Sequence, residues 1–421
     1  MTKVRWYMLA LLFFATTINY LDRILFSVLI PVIRRDMHIS DQDYGYINGA
    51  FQIAYTVGFL LMGKFIDRFG TKLGYAVSII WWSIAAMCHA IATGVLSLSF
   101  WRGMLGLGEA GNFPAAIKSV AEWFPKKDRA FATGIFNAGT NVASMIGPPM
   151  FVWMAMHVGW RACFLITASL GFVWLIVWIL SYRLPGGHPG VGHAELEYIH
   201  SDVAADSDEP PIGWGQALAY KQTWGFALAK FFTDPVWWFY LYWLPPYLYD
   251  VRKFDLKEIG WALPVVYLMA DVGSVGGGWI SGFLIRRGWP NGKARKMAMG
   301  ICAACMPVAA LAVLAGNPIL AIALVCLATS AHQGWSANLF TTSSDVFPRN
   351  ATASVVGIGG CLGGIGGFLF SAVIPGYVVT HFGYTPVFLS MGFFHLTALV
   401  ILHVLMGDMK PLKLAPQPSS L

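Results

Sequence analysis

Seven charged residues lie inside long apolar stretches of the sequence, and they are the first candidates for chemistry. They are Asp22, Arg23, Arg102, Glu109, Lys230, Asp234 and Asp271. A charge near the centre of a lipid bilayer costs at least about 2.5–3.5 kcal/mol, so each such ion is treated as functional by default. Arginine presents a planar fork that matches a carboxylate, and a carboxyl in an apolar wall can take up a proton near neutral pH. These residue types together predict binding of an anion coupled to a proton.

The spacing of the charges in the first half limits which of them can pair. Asp22 and Arg23 are adjacent, so on a helix they point about 100° apart and cannot face each other. Arg102 and Glu109 share one helix face but lie about 10 Å apart along the axis. Glu109 therefore needs Arg23, or another group across the cavity, as its partner. The alternative is a buried ion network that only stabilises this half. We favour function, because apolar replacement of a buried ion pair is often neutral or stabilising.

The charges of the second half are less specific. Lys230 and Asp234 are four residues apart on one predicted helix, so they can neutralise each other or bind a substrate, and both interpretations stay open. Asp271 has no evident partner and no predicted role.

The elements that position these residues follow from the composition. The chain has 421 residues, of which 57% are hydrophobic and 12% charged, and its mean hydropathy is +0.60. A soluble protein carries about twice that share of charge, which excludes a soluble enzyme, and 18 Trp, 29 Phe and 16 Tyr exclude a disordered chain. The apolar residues run in blocks of about 20, as in membrane helices and not as in a membrane β-barrel.

Twelve such blocks predict an all-α polytopic membrane protein with twelve transmembrane helices. The blocks cover about 6–33, 44–65, 72–93, 96–122, 131–156, 160–183, 222–249, 257–285, 295–315, 317–342, 351–378 and 384–406. The predicted domains are a six-helix bundle at 1–183, a cytoplasmic loop at 184–221, a second six-helix bundle at 222–406 and a tail at 407–421. The motif that begins at Gly63 recurs in part at Gly278, and the motif that begins at Glu122 recurs in part at Asp345, so the second bundle weakly repeats the first. The two bundles are therefore predicted to be pseudo-symmetric.

The basic residues predict the orientation. The net charge is +7, but most lysines and arginines fall in alternate loops and in the tails, which argues against nucleic acid as a partner. The opposite loops contain only Arg34, Arg35, Arg161, Arg252, Lys253 and Lys257. This asymmetry predicts that both termini face the cytoplasm. The six cysteines lie within apolar blocks, so no disulfide framework is expected.

A polar stripe in the tenth block is a candidate for binding a polar substrate. It consists of His332, Gln333, Trp335, Ser336 and Asn338. Trp238 is a further candidate, as an aromatic wall for a bound substrate. In the eleventh block, Gly359, Gly363 and Gly367 recur every four residues and predict a close helix contact.

Several motifs identify a family resemblance that extends over nearly the whole chain. The loop Gly63-x-x-x-Asp67-Arg68-x-Gly70-x-Lys72 resembles the signature of the major facilitator superfamily. Asn19-Tyr20-Leu21-Asp22-Arg23, together with Arg102-Gly103 and Gly108-Glu109-Ala110, is similar to the anion:cation symporter family. Lys230-Phe-Phe-Thr-Asp234-Pro235, Ala331-His332-Gln333 and Glu122-Trp-Phe-Pro125 resemble bacterial hexuronate transporters.

The resemblance implies roles for individual residues. It implies that Glu109 and Asp22 couple to protons and that Arg23 and Arg102 bind an anionic substrate. Tyr20 and Tyr55 match positions that line the site in the family. Asp67 and Arg68 match the superfamily's cytoplasmic gate.

The resulting hypothesis is a proton-coupled importer of sugar acids in a bacterial cytoplasmic membrane that works by alternating access. Hexuronates such as galacturonate and glucuronate are expected first, with aldonates, aldarates or another small organic anion as alternatives. Drug export is disfavoured, because two arginines would repel cationic drugs. Enzyme motifs are missing from the sequence. We expect no cofactor besides the co-transported proton, no metal, a lipid environment and a monomer.

Overall fold

The computed structural model describes residues 2–201, 214–347 and 349–412, and every regular element in these ranges is helical. The first half contains α1 (Val4–Met37), α2 (Asp41–Phe69), α3 (Thr71–Cys88), α4 (Val95–Glu109), α5 (Asn112–Trp123), α6 (Lys126–Val158), α7 (Trp160–Ser181) and α8 (His193–Ile199). The remainder contains α9 (Trp214–Leu218), α10 (Lys221–Asp250), α11 (Leu256–Arg286), α12 (Asn291–Ala310), α13 (Pro318–Val346), α14 (Arg349–Gly367), α15 (Ile374–Phe382) and α16 (Thr385–Met406).

Local sequence signals set several helix ends. Ser40 caps α2 in a reciprocal box, because its hydroxyl accepts from the Asp43 N–H while Asp43 accepts from the Ser40 N–H. Gly70 and Gly159 have φ values of 84° and 81° and separate α2 from α3 and α6 from α7. α14 continues into α15 through one π-helical stretch at Phe368–Val373.

Nine helices in the described residues are long and apolar enough to cross a membrane. They are Val4–Met37, Asp41–Ile66, Thr71–Ile91, Trp160–Ser181, Leu256–Arg286, Asn291–Leu314, Pro318–Ser343, Ser354–Phe382 and Thr385–Met406. The protein is therefore a polytopic membrane protein, as the sequence predicts. The count of twelve remains a prediction, and the three further predicted blocks correspond to α4 with α5, to α6 and to α10.

The fourth predicted span differs from a single straight helix. The sequence predicts one block at 96–122, but the chain forms α4 and α5 with a break at Ala110 and Gly111. Gly111 is held against α3, because a Cβ there would lie 2.1 Å from the Ser78 hydroxyl. The break makes Glu109 the last residue of α4.

The described chain packs as two compact units. Unit 1 comprises Met1–Ser207, Leu241–Val265 and Ala372–Thr380. Its core contains α1 packed on α6 and α7, and α2 packed on α4. Unit 2 comprises Asp208–Tyr240, Val266–Ser371 and His381–Leu421. In it α12 packs on α13 and α16.

Part of the predicted loop at 184–221 is folded onto unit 1. Glu195 of α8 is buried, and its two carboxylate oxygens accept the N–H groups of Val4 and Arg5 at 3.2 and 3.1 Å. A carboxylate at this place satisfies free donors of the α1 N-terminus and complements the helix dipole. The Tyr198 hydroxyl donates to Asp128 at 2.8 Å, which attaches α8 to α6 as well.

The two related motifs make comparable contacts inside their own units. Glu122 accepts a hydrogen bond from Thr71 at 2.7 Å and another from Tyr182. Asp345 pairs with Arg295 at 3.1 Å. In each unit the acid at the end of one helix is thus tied to a residue about fifty positions earlier, as expected for a repeated arrangement.

Candidate functional site

A buried ion pair joins α1 to the end of α4. The Arg23 Nε–H donates to Glu109 Oε2 at 2.7 Å, and the side chains of the two residues are 1% and 0% exposed. Arg23 also donates to Asn19 Oδ1 at 3.5 Å. The structure thus places Arg23, the first partner that the sequence offers, opposite Glu109. The other oxygen of Glu109, Oε1, accepts no hydrogen bond from the residues that the structure describes.

Aromatic rings cover the guanidinium of Arg23. Its Cζ lies 4.7 Å from the Tyr20 ring centroid, 4.6 Å from that of Tyr55 and 5.3 Å from that of Phe51. Tyr20 and Tyr55 are half-buried, whereas Phe51 is buried. The two partly exposed tyrosines thus cover a guanidinium that is itself only 1% exposed. Such stacking stabilises the cation while it limits access to it.

Arg102 lies next to this pair but binds the backbone. Both its Nη atoms donate to the Arg23 carbonyl at 3.3 Å, and one donates to Asn48 Oδ1 at 3.4 Å. Its guanidinium is buried against the rings of Phe26 and Phe51 at 5.0 and 4.8 Å. Arg102 therefore holds the backbone of α1 at Arg23, and its side chain is fully buried.

Asp22 points away from the pair, as the 100° step between adjacent helix residues requires. Its carboxyl is 1% exposed and close to Thr167 of α7, but the Thr167 hydroxyl donates to the Cys163 carbonyl at 2.7 Å. Within the described ranges neither carboxylate oxygen of Asp22 accepts a hydrogen bond. A buried carboxylate without donors is unfavourable, so this position suits a group that exchanges a proton.

The sequence interpretation missed polar residues around the site. Asn48 and Gln52 are buried on one face of α2, and Tyr242 of α10 donates to Gln52 Oε1 at 3.1 Å. Two amide side chains four residues apart in an apolar block are a sequence signal for a polar site. Tyr242 carried no signal, because it lies in an aromatic-rich stretch and reaches α2 only through the tertiary fold.

Unit 2 contains its own ion pair. Lys230 Nζ lies 2.7 Å from Asp234 Oδ2, and the Lys230 ammonium lies 4.3 Å from the ring centroid of Phe340. The glycines of α14 make room for this pair. A Cβ at Gly363 would lie 2.2 Å from Asp234 Oδ2, and one at Gly359 would lie 3.0 Å from Lys230 Cδ. The close helix contact predicted for this ridge is present, with Gly366 taking the third place that the sequence assigned to Gly367.

The polar stripe of α13 does not converge on one place. His332 is buried, stacks on Trp237 at 5.9 Å and lies 3.2 Å from His395 Nε2 through its Nδ1. Trp335 is also buried and contacts His395 at 5.3 Å. Asn338 instead donates to the Gly277 carbonyl of α11 at 2.9 Å. Asn338 thus joins two helices, and it forms no group with His332.

The remaining predicted residues differ in how exposed they are. Gln333, Trp238 and Asp271 are half-buried. Arg68 is exposed, with its guanidinium 5.5 Å from the Phe69 ring, and the Asp67 side chain lies outside the described residues. The described residues contain no cluster of three or more His, Cys, Asp or Glu that could hold a metal.

Residues 12–371 match the family model of the Major Facilitator Superfamily. The chain belongs to this superfamily. It is therefore a multi-pass membrane transporter and not an enzyme. The resemblance that the signature loop indicates is confirmed over most of the sequence.

The similar proteins include several sugar-acid transporters. The chain is 33% identical to the "Hexuronate transporter" of Escherichia coli (strain K12) over 420 residues, which covers 98% of this chain and 96% of that protein. It is 35% identical to the "Galacturonate transporter" of Dickeya chrysanthemi over 280 residues, covering 66% and 81% of the two chains. It is 28% identical to the "D-galactonate transporter" of an Escherichia coli O6:H1 strain, covering 96% of each.

Among solved structures the fold resembles a bacterial homologue of the human lysosomal transporter Spinster, in an inward-facing and occupied conformation. The TM-score is 0.72, the identity is 19%, and 97% of each chain is covered. This likeness supports the fold alone.

Proposed function

We propose that the protein is a proton-coupled symporter that imports sugar acids, most directly the hexuronates galacturonate and glucuronate. The observation that carries this proposal is the buried Arg23–Glu109 pair at 2.7 Å. A guanidinium already neutralised by a carboxylate is a site where a second carboxylate can compete.

In the proposed mechanism the substrate carboxylate takes the place of Glu109 at Arg23. Glu109 then loses its counter-charge in a dry environment and takes up a proton. Return of Glu109 to Arg23 requires loss of that proton and release of the substrate. Substrate and proton thus move together, because each stabilises the arrangement that admits the other.

Asp22 is proposed as the second proton site. A monoanion moving with one proton is electroneutral, whereas with two protons it carries one positive charge inward. Asp22 is buried without a hydrogen-bond donor in the described chain, which supports a carboxyl that carries a proton during part of the cycle.

Polar and aromatic residues complete the proposed substrate contacts. Tyr20 and Tyr55 flank Arg23 and offer ring faces and hydroxyls to a sugar. In unit 2, the predicted substrate contacts are Lys230, Asp234, Trp238, His332, Gln333, Trp335 and Asn338. Of these, Asn338 is the least suited, because its amide is occupied by two backbone carbonyls.

The names of the relatives support the substrate class. Proteins named for hexuronate and galacturonate are the relatives with 33% and 35% identity, whereas the one named for D-galactonate has 28%. An aldonate such as galactonate is therefore the second candidate, and another small organic anion is the third. We further propose a monomer in the bacterial cytoplasmic membrane with both termini in the cytoplasm and with no cofactor besides H⁺.

The test is proton movement in liposomes that contain the purified protein and an internal pH dye. Galacturonate, glucuronate and galactonate are compared with the neutral sugar galactose. The proposal expects internal acidification with the hexuronates and none with galactose. Acidification with galactonate alone would select the aldonate alternative, and no flux with any acid would contradict proton symport of sugar acids.

A further inference from the structure

Tyr242 links the charged cluster, which consists of Arg23, Arg102 and Glu109, to a second group of contacts in unit 1. Its hydroxyl donates to Gln52 of α2 at 3.1 Å, and its backbone carbonyl accepts from the Tyr44 hydroxyl at 2.6 Å. All three side chains are buried. Gln52 lies one helical turn from Asn48, whose Oδ1 accepts from Arg102, so Tyr242 reaches α2 beside the buried charges.

An ion pair lies further along the same helix. Asp250 of α10 pairs with Arg34 of α1 at 2.9 Å, and Arg34 also pairs with Asp41 at the start of α2. Tyr242 and Asp250 are eight residues apart, which is about 12 Å along the helix axis. The segment Leu241–Val265 is thus attached to α1 and α2 at two levels, one beside the charged cluster and one near the loop 38–40.

Two segments that the sequence assigns to the second predicted bundle pack in unit 1. Leu241–Val265 lies within the second predicted bundle at 222–406, yet it packs within unit 1. Ala372–Thr380 does the same, and there Gly45 of α2 and Gly376 of α15 approach so closely that a Cβ at Gly45 would lie 2.8 Å from Gly376 Cα.

We propose that Tyr242 is a positioning residue that closes the substrate site toward the loop 38–40, with Arg34–Asp250 as the outer clasp of the same closure. Of the two tests below, only the transport measurement rests on the proposed function. Opening of this end requires both contacts to break, so loss of either one shifts the population toward the open arrangement. When a substrate carboxylate is bound at Arg23, Tyr242 covers that binding site.

The first test is amide hydrogen exchange of the full-length protein in nanodiscs without substrate. Asp250→Asn removes the outer clasp, and Tyr242→Phe removes the hydroxyl contact while it keeps the ring. Each is expected to raise the exchange of amides 248–256 about threefold to fivefold. Two matched controls are expected to leave that segment unchanged. Asp36→Asn breaks an ion pair with Arg161, and Tyr75→Phe removes a buried hydroxyl that donates to Asn112, away from the monitored segment.

The exchange result decides between the outcomes. Equal exchange in Tyr242→Phe and in the controls would overturn the role of Tyr242, even if Asp250→Asn has an effect. If Tyr242→Phe also exposes the amides of α12 and α13, it has unfolded the protein. Gln52→Met, which removes the acceptor from the other side, then replaces it under the same criterion.

The second test is galacturonate counterflow, which a purely structural role would affect only through the amount of folded protein. Tyr242→Phe is expected to raise KM about threefold to tenfold, with Vmax per folded protein changed less. An unchanged KM would contradict the closure of the substrate site by Tyr242. If the wild-type protein transports no galacturonate, the proposed substrate is wrong, and the exchange experiment still decides the inference.

Discussion

The Arg23 guanidinium of α1 donates to the Glu109 carboxylate of α4 at 2.7 Å, and both side chains are shielded from solvent. This pair holds an acid and an anion-binding base in one contact. An ion pair of this kind is costly to bury and contributes little net stability. Its presence is better explained by exchange of Glu109 for a substrate carboxylate at Arg23 than by stability of the fold.

Glu109→Gln tests the coupling step. The amide cannot take up a proton, so uptake driven by a pH gradient is expected to be abolished, whereas counterflow of substrate remains. The measurement compares both assays on the same liposomes. Glu122→Gln is the matched control, because Glu122 accepts from Thr71 and Tyr182 and is expected to affect stability while coupling remains. Equal loss of uptake and counterflow in Glu109→Gln would make the residue structural.

Arg23→Lys tests the anion site. Lysine keeps the charge but loses the planar fork, so the apparent KM is expected to rise about tenfold to hundredfold. Arg102→Lys is also expected to raise KM, since Arg102 fixes the Arg23 carbonyl. Arg161→Lys, at an exposed pair with Asp36, serves as the control. Unchanged transport kinetics in the first two variants would remove both arginines from the site.

Asp22→Asn tests the proton count. With two protons per monoanion, each cycle moves one positive charge, which is worth about 2.3 kcal/mol per 100 mV. An imposed potential of about 100 mV, negative inside, is then expected to raise wild-type accumulation by up to about fiftyfold. Asp22→Asn is expected to lose this dependence, and Asp271→Asn is expected to keep it. Transport by the wild type that ignores the potential would argue for a single proton.

Gly363→Ala tests the packing around the second ion pair. The added methyl would lie 2.2 Å from Asp234 Oδ2, so Asp234 must leave Lys230 or α14 must move. Overpacking of this kind costs about 1–3 kcal/mol, which should lower the melting temperature. Gly360→Ala is the matched control, because a Cβ there meets nothing within 4 Å. Equal melting temperatures for the two variants would contradict the close contact between α10 and α14.

The sequence predicts those parts of the site that depend on one helix at a time. Helix geometry alone places Asp22 and Arg23 on different faces and keeps Arg102 from reaching Glu109. The covering of Arg23 by Tyr55 and the contact of Tyr242 with Gln52 depend on packing between distant segments, which helical periodicity does not contain. The same holds for Glu195, which caps α1 from 190 residues away.

The break in the fourth span shows another limit. Ala110 and Gly111 read as ordinary members of an apolar block, but Pro114 has no N–H to bond the Ala110 carbonyl, which favours a break there, and Gly111 packs closely on Ser78. Hydropathy records that a block is apolar but not whether it is one helix or two.

The most direct test of the account is proton uptake when galacturonate binds to the purified protein in weakly buffered detergent solution. Binding at Arg23 should free Glu109 to take up a proton, so the wild type is expected to alkalinise the solution in proportion to the bound substrate. Glu109→Gln is expected to bind galacturonate and take up one proton fewer. Binding without proton uptake in the wild type, or equal uptake in both proteins, would contradict competition between substrate and Glu109 for Arg23.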